Sequence, residues 1–460
     1  MAKYKAYPEY KDSGVEWLGD IPEYWNDIAI KYVVELNPSK SCIASDRIKG
    51  TCSFIPMEKL KLNSIILDEV RRVSEVYNGY TYFEDEDILM AKVTPCFENK
   101  NIAIARQLDS GVGFGSSEIY VLRCNHKVNN KFLFYRLQED NFMALCEGAM
   151  TGAGGLKRVP SEILNNFSFA LPAKLEQIKI AAFLDHETAK IDNLIEKQQQ
   201  LIKLLKEKRQ AVISHTVNKG LNPNVPMKDS GIELLGDIPA HWEVKRLKHI
   251  ACIIDCKNRT PEYIDDGEYL VVRTTNVKKQ SLVLEGALYT SERDYKMWTE
   301  RGVPPTGSIL FTREAPAGEI CIVPEFTKLC MGQRMMNFIC HQSKYTKFLF
   351  DYLTSDYLKK YIESESAGST VSHLRVEQVY NIPVVIPPSV EQKSIDDVVG
   401  VIKSQYSKLI DNAECSLFLL QERRTALISA AVTGKIDVRD WVAPANSEMA
   451  NIEASQEVNA

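Results

Sequence analysis

The sequence predicts an α+β fold: two duplicated globular regions separated by two long antiparallel α-helices that form a coiled coil in a pseudo-two-fold arrangement. A repeated segment is the first observation behind this prediction: Lys11–Trp25 reads KDSGVEWLGDIPEYW, and Lys228–Trp242 reads KDSGIELLGDIPAHW. A second repeated segment is KFLFYRL at 131–137, which occurs again as KFLFDYL at 347–353. The 217 residues between Lys11 and Lys228 far exceed the roughly 20–50 residues of a solenoid unit. The repeat therefore indicates two copies of a whole domain with its connector.

Between the repeated segment and the helical part, each half contains short apolar and β-branched runs. Examples are Ile119–Leu122 in the first half and Tyr269–Val272 in the second, separated from their neighbours by Gly, Pro, Asn and Asp. Such runs are typical of strands and loops with a few helices. Each half therefore begins with a turn-rich segment, continues with a mainly stranded region of roughly 130–145 residues and ends in a helical connector.

The connectors are predicted to be helices from about Lys174 to Asn218 and from about Val390 to Thr433, because apolar residues recur there at steps of three and four. The predicted seam positions are Ile191, Leu194, Gln198, Leu201, Leu205, Lys208 and Val212 in the first helix, and Val399, Ile402, Tyr406, Leu409, Ala413, Leu420 and Leu427 in the second. A helix of this length, roughly 65 Å at 1.5 Å per residue, needs a partner helix along its seam. Packed antiparallel, the two helices would hold the globular regions apart, which suits reading two half-sites on a duplex. The alternative is two unrelated surface helices broken in the middle, and Gly400 leaves room for such a break in the second.

Composition gives the broad class of protein. The 460 residues are 45% hydrophobic and 25% charged, which is ordinary for globular domains. No secretory leader and no run of 18 apolar residues occurs, so a cytoplasmic protein without a membrane span is expected. The net charge of −5 is unlike that of most nucleic-acid-binding proteins. It hides a local difference, however, since residues 243–375 carry more Lys and Arg than Asp and Glu.

The motifs of catalysis and of metal binding are missing from the sequence. Asn37–Lys40 lacks the second proline and the aromatic residue of an adenine methyltransferase clamp. Gly152–Lys157 has the wrong spacing for a phosphate-binding Walker loop, and no HExxH occurs. Cys252 and Cys256 stand without a second pair, so the 11 cysteines are interpreted as reduced structural thiols. We therefore predict no catalytic, metal or cofactor-binding residue.

Several blocks, in order and in duplicate, resemble the specificity (S) subunits of type I restriction-modification systems. The repeated KDSG segment is one block, and Thr306–Ile320 (TGSILFTREAPAGEI) resembles a signature of one class of target recognition domain. The remaining blocks are EDILMAKVTP at 86–95, GSSEI at 115–119, GQRMM at 332–336, PAKLEQ at 172–177 and PSVEQ at 388–392. The resemblance covers about residues 7–442.

The resemblance implies how the chain is divided. Residues 1–172 would form the first target recognition domain, 173–220 the first spacer helix, 221–388 the second target recognition domain and 389–442 the second spacer helix. Residues 443–460 lie outside the resemblance and are predicted to be a disordered acidic tail.

The resemblance also implies function and partners. Each target recognition domain would read one half of a split, asymmetric site on double-stranded DNA. The chain would dock two methyltransferase (M) subunits and, through them, restriction (R) subunits, in a system that defends against phage. S-adenosylmethionine, ATP and Mg are expected on those partner subunits and not on this chain. Two alternatives stay open: a two-domain protein-binding scaffold, and the S partner of a methyltransferase that has no nuclease.

Candidate DNA-binding residues are basic, amide and hydroxyl side chains in loop-like contexts, because these groups contact phosphates and base edges. They are Lys92, Thr94, Ser116, Ser117, Lys157 and Arg158 in the first domain, and Arg273, Thr274, Asn276, Arg313, Gln333 and Arg334 in the second. Each could instead be structural: Arg313 could pair with Glu314, and Arg334 could lie in a strand. The Gly-rich stretches 151–155 and 367–370 are interpreted as mobile loops near DNA. Trp25 and Trp242 are interpreted as core anchors rather than as base-stacking residues.

Overall fold

The computed structural model describes residues 4–43, 45–153, 155–257, 259–314, 316–325, 327–366 and 373–442. It divides into two compact units: residues up to Gln198 together with those from Ser416 form the first, and Gln199–Cys415 forms the second. Each unit thus contains one globular region, the first part of one long helix and the last part of the other. The predicted acidic tail and the Gly-rich stretch 367–370 lie outside the described residues.

The first half of the chain contains sixteen described strands and six described α-helices, as follows. The strands are β1 (Tyr10–Asp12), β2 (Asp20–Pro22), β3 (Asn26–Ala29), β4 (Val34–Leu36), β5 (Thr51–Ile55), β6 (Leu60–Lys61), β7 (Ser64–Ile65), β8 (Val70–Arg72), β9 (Thr81–Glu84), β10 (Ile88–Ala91), β11 (Ile102–Ile104), β12 (Val112–Gly115), β13 (Ile119–Cys124), β14 (Thr151–Ala153), β15 (Leu156–Arg158) and β16 (Ser168–Leu171). The helices are α1 (Ser45–Ile48), α2 (Val73–Val76), α3 (Asn130–Arg136), α4 (Asp140–Gly148), α5 (Ser161–Asn166) and α6 (Lys174–Lys219).

The second half repeats this series with fewer elements among its described residues. The strands are β17 (Met227–Asp229), β18 (Asp237–Pro239), β19 (Glu243–Arg246), β20 (Ala251–Asp255), β21 (Tyr269–Val272), β22 (Val277–Lys278), β23 (Ser281–Leu282), β24 (Leu288–Thr290), β25 (Ile309–Thr312), β26 (Ile320–Ile322), β27 (Leu329–Met331), β28 (Met335–Cys340) and β29 (Pro383–Ile386). The helices are α7 (Glu292–Trp298), α8 (Thr346–Leu353), α9 (Asp356–Glu365), α10 (Val376–Tyr380) and α11 (Ser389–Val432).

Both globular regions are built on the same pair of sheets. The first has an antiparallel sheet in the order β11-β10-β13-β4 and a mixed sheet in the order β8-β5-β12-β9, in which β5 and β12 are parallel. The second has an antiparallel sheet in the order β20-β28-β25-β26 and a sheet in the order β24-β21-β27, in which β21 and β27 are parallel. Strand for strand, β10 and β13 therefore correspond to β25 and β28. In the described part of the second region, β9 has no counterpart.

The central strands are buried because they are apolar throughout. All four residues of β10 and all four of β25 are buried, which fits strands covered on both faces. In β12 of the mixed sheet, Gly113 is required, since a Cβ there would lie 2.0 Å from the Phe83 ring. This tight packing fixes the strand that leads into residues 116–118.

Each repeated tryptophan anchors its segment to the start of a long helix. Trp25 is 1% exposed and its indole N–H donates to Glu176 Oε1 at 3.2 Å. Trp242 is fully buried and donates to Glu391 Oε2 at 2.9 Å. A buried indole needs such an acceptor for its N–H. The interpretation of both residues as core anchors is confirmed. The acceptor of each indole N–H is the glutamate of the PAKLEQ or PSVEQ segment, which we call the EQ blocks.

The long helices are continuous, α6 with 46 residues and α11 with 44, so the alternative of a break at Gly400 is wrong. Within the first unit, Arg424 of α11 pairs with Asp192 of α6 at 2.7 Å. Within the second unit, Lys206 of α6 pairs with Glu414 of α11 at 3.0 Å. The two helices are therefore partners in both units, as the seams predicted.

The seam itself is displaced by one residue in the middle of both helices. Three predicted seam leucines are about half exposed: Leu194 at 49%, Leu201 at 44% and Leu409 at 50%. The residues that follow the last two, Ile202 and Ile410, are 9% and 5% exposed. Because two apolar residues are adjacent at each of these positions, spacing alone could not identify which one turns inward. The predicted positions Ile191, Val399, Ala413 and Leu427 are buried.

Candidate nucleic-acid interface

The first candidate cluster lies where two antiparallel strands meet. Ala91, the last residue of β10, pairs with Ile119, the first residue of β13. The residues after one strand and before the other are consequently adjacent, and the Lys92 amide donates to the Glu118 carbonyl at 3.0 Å. The structure thus brings Lys92 and Thr94 together with Ser116 and Ser117 at one end of the two central strands.

A β-hairpin, β14–β15, lies beside this end of the two strands. Val93 and Arg158 form an isolated bridge, and the Val159 amide donates to the Lys92 carbonyl at 2.9 Å. The Thr94 side chain is hydrogen-bonded to the hairpin backbone: its hydroxyl donates to the Gly155 carbonyl at 2.8 Å and accepts from the Lys157 amide at 3.0 Å. The described residues of 151–155 are therefore part of a hairpin, where a mobile loop was predicted. Every residue of its strands β14 and β15 is exposed, so Lys157 and Arg158 lie at the surface.

The cluster contains an acidic residue that the sequence analysis did not select. Arg158 Nε donates to Glu118 Oε2 at 2.9 Å, and Arg158 Nη2 donates to Glu118 Oε1 at 2.8 Å. These hydrogen bonds, with smaller help from the charge of Lys92, hold the pKa of the Glu118 carboxyl below its usual value. Lys92 Nζ lies 5.2 Å from the centre of the Tyr120 ring. Ser116 accepts from the Glu118 amide at 3.2 Å, whereas Ser117 is exposed.

The second region repeats the backbone geometry of this cluster. Thr312 at the end of β25 pairs with Met335 at the start of β28. The Arg313 amide donates to the Arg334 carbonyl at 2.9 Å, and the Leu374 amide donates to the Arg313 carbonyl at 3.0 Å. These bonds match those of Lys92 with Glu118 and Val159. Position 313 therefore corresponds to 92, and position 334 corresponds to 118.

Arg334 lies in a turn with φ of +69°, and not in a strand as the structural alternative supposed. Its Nε is 2.9 Å from Glu314 Oε2, and His373 Nε2 is 3.5 Å from the other oxygen of Glu314. Gln333 beside it is exposed. Of these residues, Glu314 and His373 were not among the sequence-based candidates.

The other second-region candidates face inward to different degrees. Arg313 is 7% exposed, and its Nε lies 3.8 Å from Asp255 without a hydrogen bond. Its predicted pairing with the neighbouring Glu314 is therefore replaced by Asp255. Asn276 is 1% exposed, with its amide accepting from the Arg273 N–H at 3.1 Å and donating to the Val283 carbonyl at 3.0 Å.

Two candidates remain half-buried beside the turn. Arg273 donates to the Gly286 carbonyl at 2.7 Å, and its Cγ lies 3.3 Å from where a Cβ of Gly332 would stand. Thr274 follows it at the start of a short 3-10 turn, Thr274–Asn276. The surface of the second cluster consequently consists mainly of Gln333, Arg334 and the partners of Arg334.

Elsewhere in the described part of the chain, no group of three or more His, Cys, Asp or Glu residues has a geometry that could hold a metal ion. Cys252 is exposed and Cys256 is buried. No described helix combines the length and the apolar character that a membrane crossing requires.

Comparisons with known proteins agree with one another. A family model described as "Type I restriction modification DNA specificity domain" matches residues 22–204 and again 239–406. The EcoEI specificity subunit of Escherichia coli is 32% identical over 179 residues, a match that spans 38% of this chain and only 30% of that protein. The MjaVIII specificity subunit of Methanocaldococcus jannaschii is 26% identical, with 91% of this chain and 95% of that protein covered. A chain of a solved structure on "complex assembly and conformational transition of the type I R-M system" matches with a TM-score of 0.65 at 16% identity, covering 90% of this chain and 99% of that one. The duplicated α+β fold is thereby confirmed.

Proposed function

Because the chain belongs to the type I restriction modification DNA specificity domain family, we propose that it is the DNA-reading subunit of a type I restriction-modification complex. In this proposal each globular region reads one half of a bipartite, asymmetric site on duplex DNA. The chain carries out no chemistry itself. Two methyltransferase subunits dock on it, with restriction subunits joining through them, and S-adenosylmethionine, ATP and Mg bind on those partners. DNA in the cytoplasm is the substrate.

One observation carries the proposal. The same backbone arrangement, in which a strand end, a turn and a following segment meet, occurs in both regions, but with different side chains on it. In the first region it presents Lys92, Lys157 and the Glu118–Arg158 pair, and in the second it presents Gln333 and Arg334. A common frame with exchanged polar side chains is what two readers of different sequences require, because specificity depends on hydrogen bonds to base edges.

Selection from a random duplex library tests the proposal. The full chain, alone and with a co-expressed adenine methyltransferase subunit, is incubated with random-sequence DNA, and the bound fraction is sequenced. We expect two conserved half-sites separated by an unspecified gap. Enrichment of no motif, or of one contiguous motif, would contradict the proposal.

A pair of lysine variants provides a matched control for the placement of the interface. Lys157→Ala removes an exposed cation from the hairpin and should weaken binding to all sequences, with a shallower salt dependence. Lys127→Ala removes an exposed cation that follows the opposite end of β13 and should leave binding unchanged. Equal losses in the two variants would place the DNA elsewhere.

A further inference from the structure

The two clusters hold an acid–base pair of opposite polarity on the same frame. In the first region the turn before β13 supplies the acid, Glu118, and the hairpin supplies the base, Arg158. In the second region the equivalent turn supplies the base, Arg334, and the strand end supplies the acid, Glu314. Positions 118 and 334 are equivalent by their backbone hydrogen bonds, so the acid of the first region lies where the base of the second region lies. The partner residues are not equivalent, because the bridge between Glu314 and His373 makes His373 the counterpart of Arg158.

We propose that these two pairs are the elements that read a C·G base pair, in opposite orientations in the two half-sites. Resting on the proposed function, this inference assigns a base class to particular side chains: Glu118 accepts from a cytosine amino group, Arg158 donates to the paired guanine, and Arg334 donates to guanine in the second half-site.

The assignment to a C·G pair follows from the hydrogen-bond acceptors of Glu118 and the donors of Arg158 that their own ion pair leaves unused. Each oxygen of Glu118 accepts one hydrogen bond from Arg158, whereas an ionised carboxylate has about four acceptor positions. The guanidinium of Arg158 likewise uses two of its five donors. The major-groove edge of a C·G pair offers the cytosine N4 donor beside the guanine O6 and N7 acceptors. An adjacent carboxylate and guanidinium complement that edge.

A phosphate contact is a poor alternative for the acidic member. A carboxylate repels phosphates, so Glu118 gains nothing from the DNA backbone and needs a donor such as an amino group. It is nonetheless accessible, since its side chain is 29% exposed and that of Arg158 is 46% exposed. The side chain of Arg334 is 52% exposed and its Nε forms an ion pair with Glu314, which leaves its two terminal amino groups for the O6 and N7 of guanine.

The test repeats the random-library selection with variants of the full chain. Glu118→Gln should relax one base position in one half-site, with discrimination falling about 5- to 150-fold, the range for one well-placed base contact. The inverted pair E118R/R158E keeps the ion pair and should change the preferred base there from C to G. Arg334→Gln should relax one position in the other half-site only. Glu86→Gln is the control, because the Glu86–Arg106 pair lies in the same region away from the cluster.

The outcomes separate this inference from the function on which it rests. A wild-type chain that enriches no bipartite motif overturns both. A bipartite motif that Glu118→Gln leaves unchanged overturns only the assignment of Glu118. Uniform weakening at all positions also overturns it, because that result indicates a structural role. Thermal melting of each variant identifies misfolding, and if E118R/R158E fails to fold, Glu118→Gln and Arg334→Gln decide.

Discussion

A fully buried ion pair in the first unit allows a stability prediction, because the second half has uncharged residues at the equivalent positions. Arg136 Nη1 donates to Glu139 Oε2 at 2.6 Å, and the two side chains are 1% and 2% exposed. Arg136 Nε and Nη2 have no hydrogen-bond partner, and burial lowers the pKa of this guanidinium. By the KFLF repeat, the corresponding residues of the second half are Tyr352 and Ser355, both fully buried. In the second half, the two equivalent positions are therefore buried without an ion pair.

Removing one charge should cost much more than removing both. Glu139→Gln leaves the guanidinium buried without a counter-charge and should lower the free energy of unfolding of the first unit by about 3–5 kcal/mol. The double variant R136Y/E139S replaces both residues by those of the other half. The double variant loses the cap that Glu139 gives α4 by accepting from the Phe142 amide, but Ser355 occupies the equivalent N-cap of α9 without a side-chain cap, so the second half tolerates that loss. We therefore expect the double variant to lie within about 1 kcal/mol of wild type.

Hydrogen exchange at increasing urea concentrations measures both units in one sample. Peptides from 130–148 report the first unit, and peptides from 346–365 report the second unit as an internal control. The reasoning requires the double variant to be more stable than Glu139→Gln. If its loss instead equals the sum of the losses of the single variants Glu139→Gln and Arg136→Tyr, the two charges are not energetically coupled, and the argument fails.

Two further predictions concern pH and assembly. Burial raises the pKa of Asp396 to about 6, and the positive charge of Lys347 offsets only part of this rise. Between about pH 4 and 6 the folded second unit therefore binds more protons than the unfolded chain. Its stability consequently falls as the pH rises through that range. Asp396→Asn should remove this pH dependence and stabilise the unit at pH 7.5 by at most about 3 kcal/mol, measured by urea denaturation; a variant that is no more stable than wild type would contradict it. Native mass spectrometry of the co-expressed subunits should show one copy of this chain with two methyltransferase subunits, and a one-to-one complex at saturating methyltransferase would refute the symmetric docking of two copies.

The sequence predicted the duplicated architecture well because its signals were local and repeated. The EQ blocks mark where both long helices begin, since Gln177 and Gln392 each donate to the carbonyl of a nearby proline, Pro172 and Pro387, at 2.8 and 2.6 Å. Periodicity failed only where two apolar residues were adjacent, as at Leu201 and Ile202. There the choice depends on packing against other elements, which the spacing does not contain.

The candidate site was predicted less completely, because side-chain type does not give side-chain direction. Arg313 and Asn276 were candidates but are buried: the amide of Asn276 bonds to the backbone, and Arg313 lies against Asp255. Glu118 was overlooked because an acid is not expected where DNA binds, although it directly follows two selected serines. Only the two-bond geometry with Arg158 shows that the carboxylate belongs to the cluster.

The same exchange of charge between the halves occurs where a short helix meets a long one. In the first unit, Lys131 and Tyr135 of α3 donate to Asp185 of α6 at 2.7 and 2.8 Å. In the second unit the acid is on the short helix instead, where Asp351 of α8 pairs with Lys403 of α11. Transplanting α8 alone into the first half would place a second carboxylate beside Asp185, because Asp351 aligns with Tyr135, and like charges at that spacing repel. The halves share one frame, but the charge on each short helix is complementary to the charge on its own long helix, so a functional exchange between the halves must carry both helices.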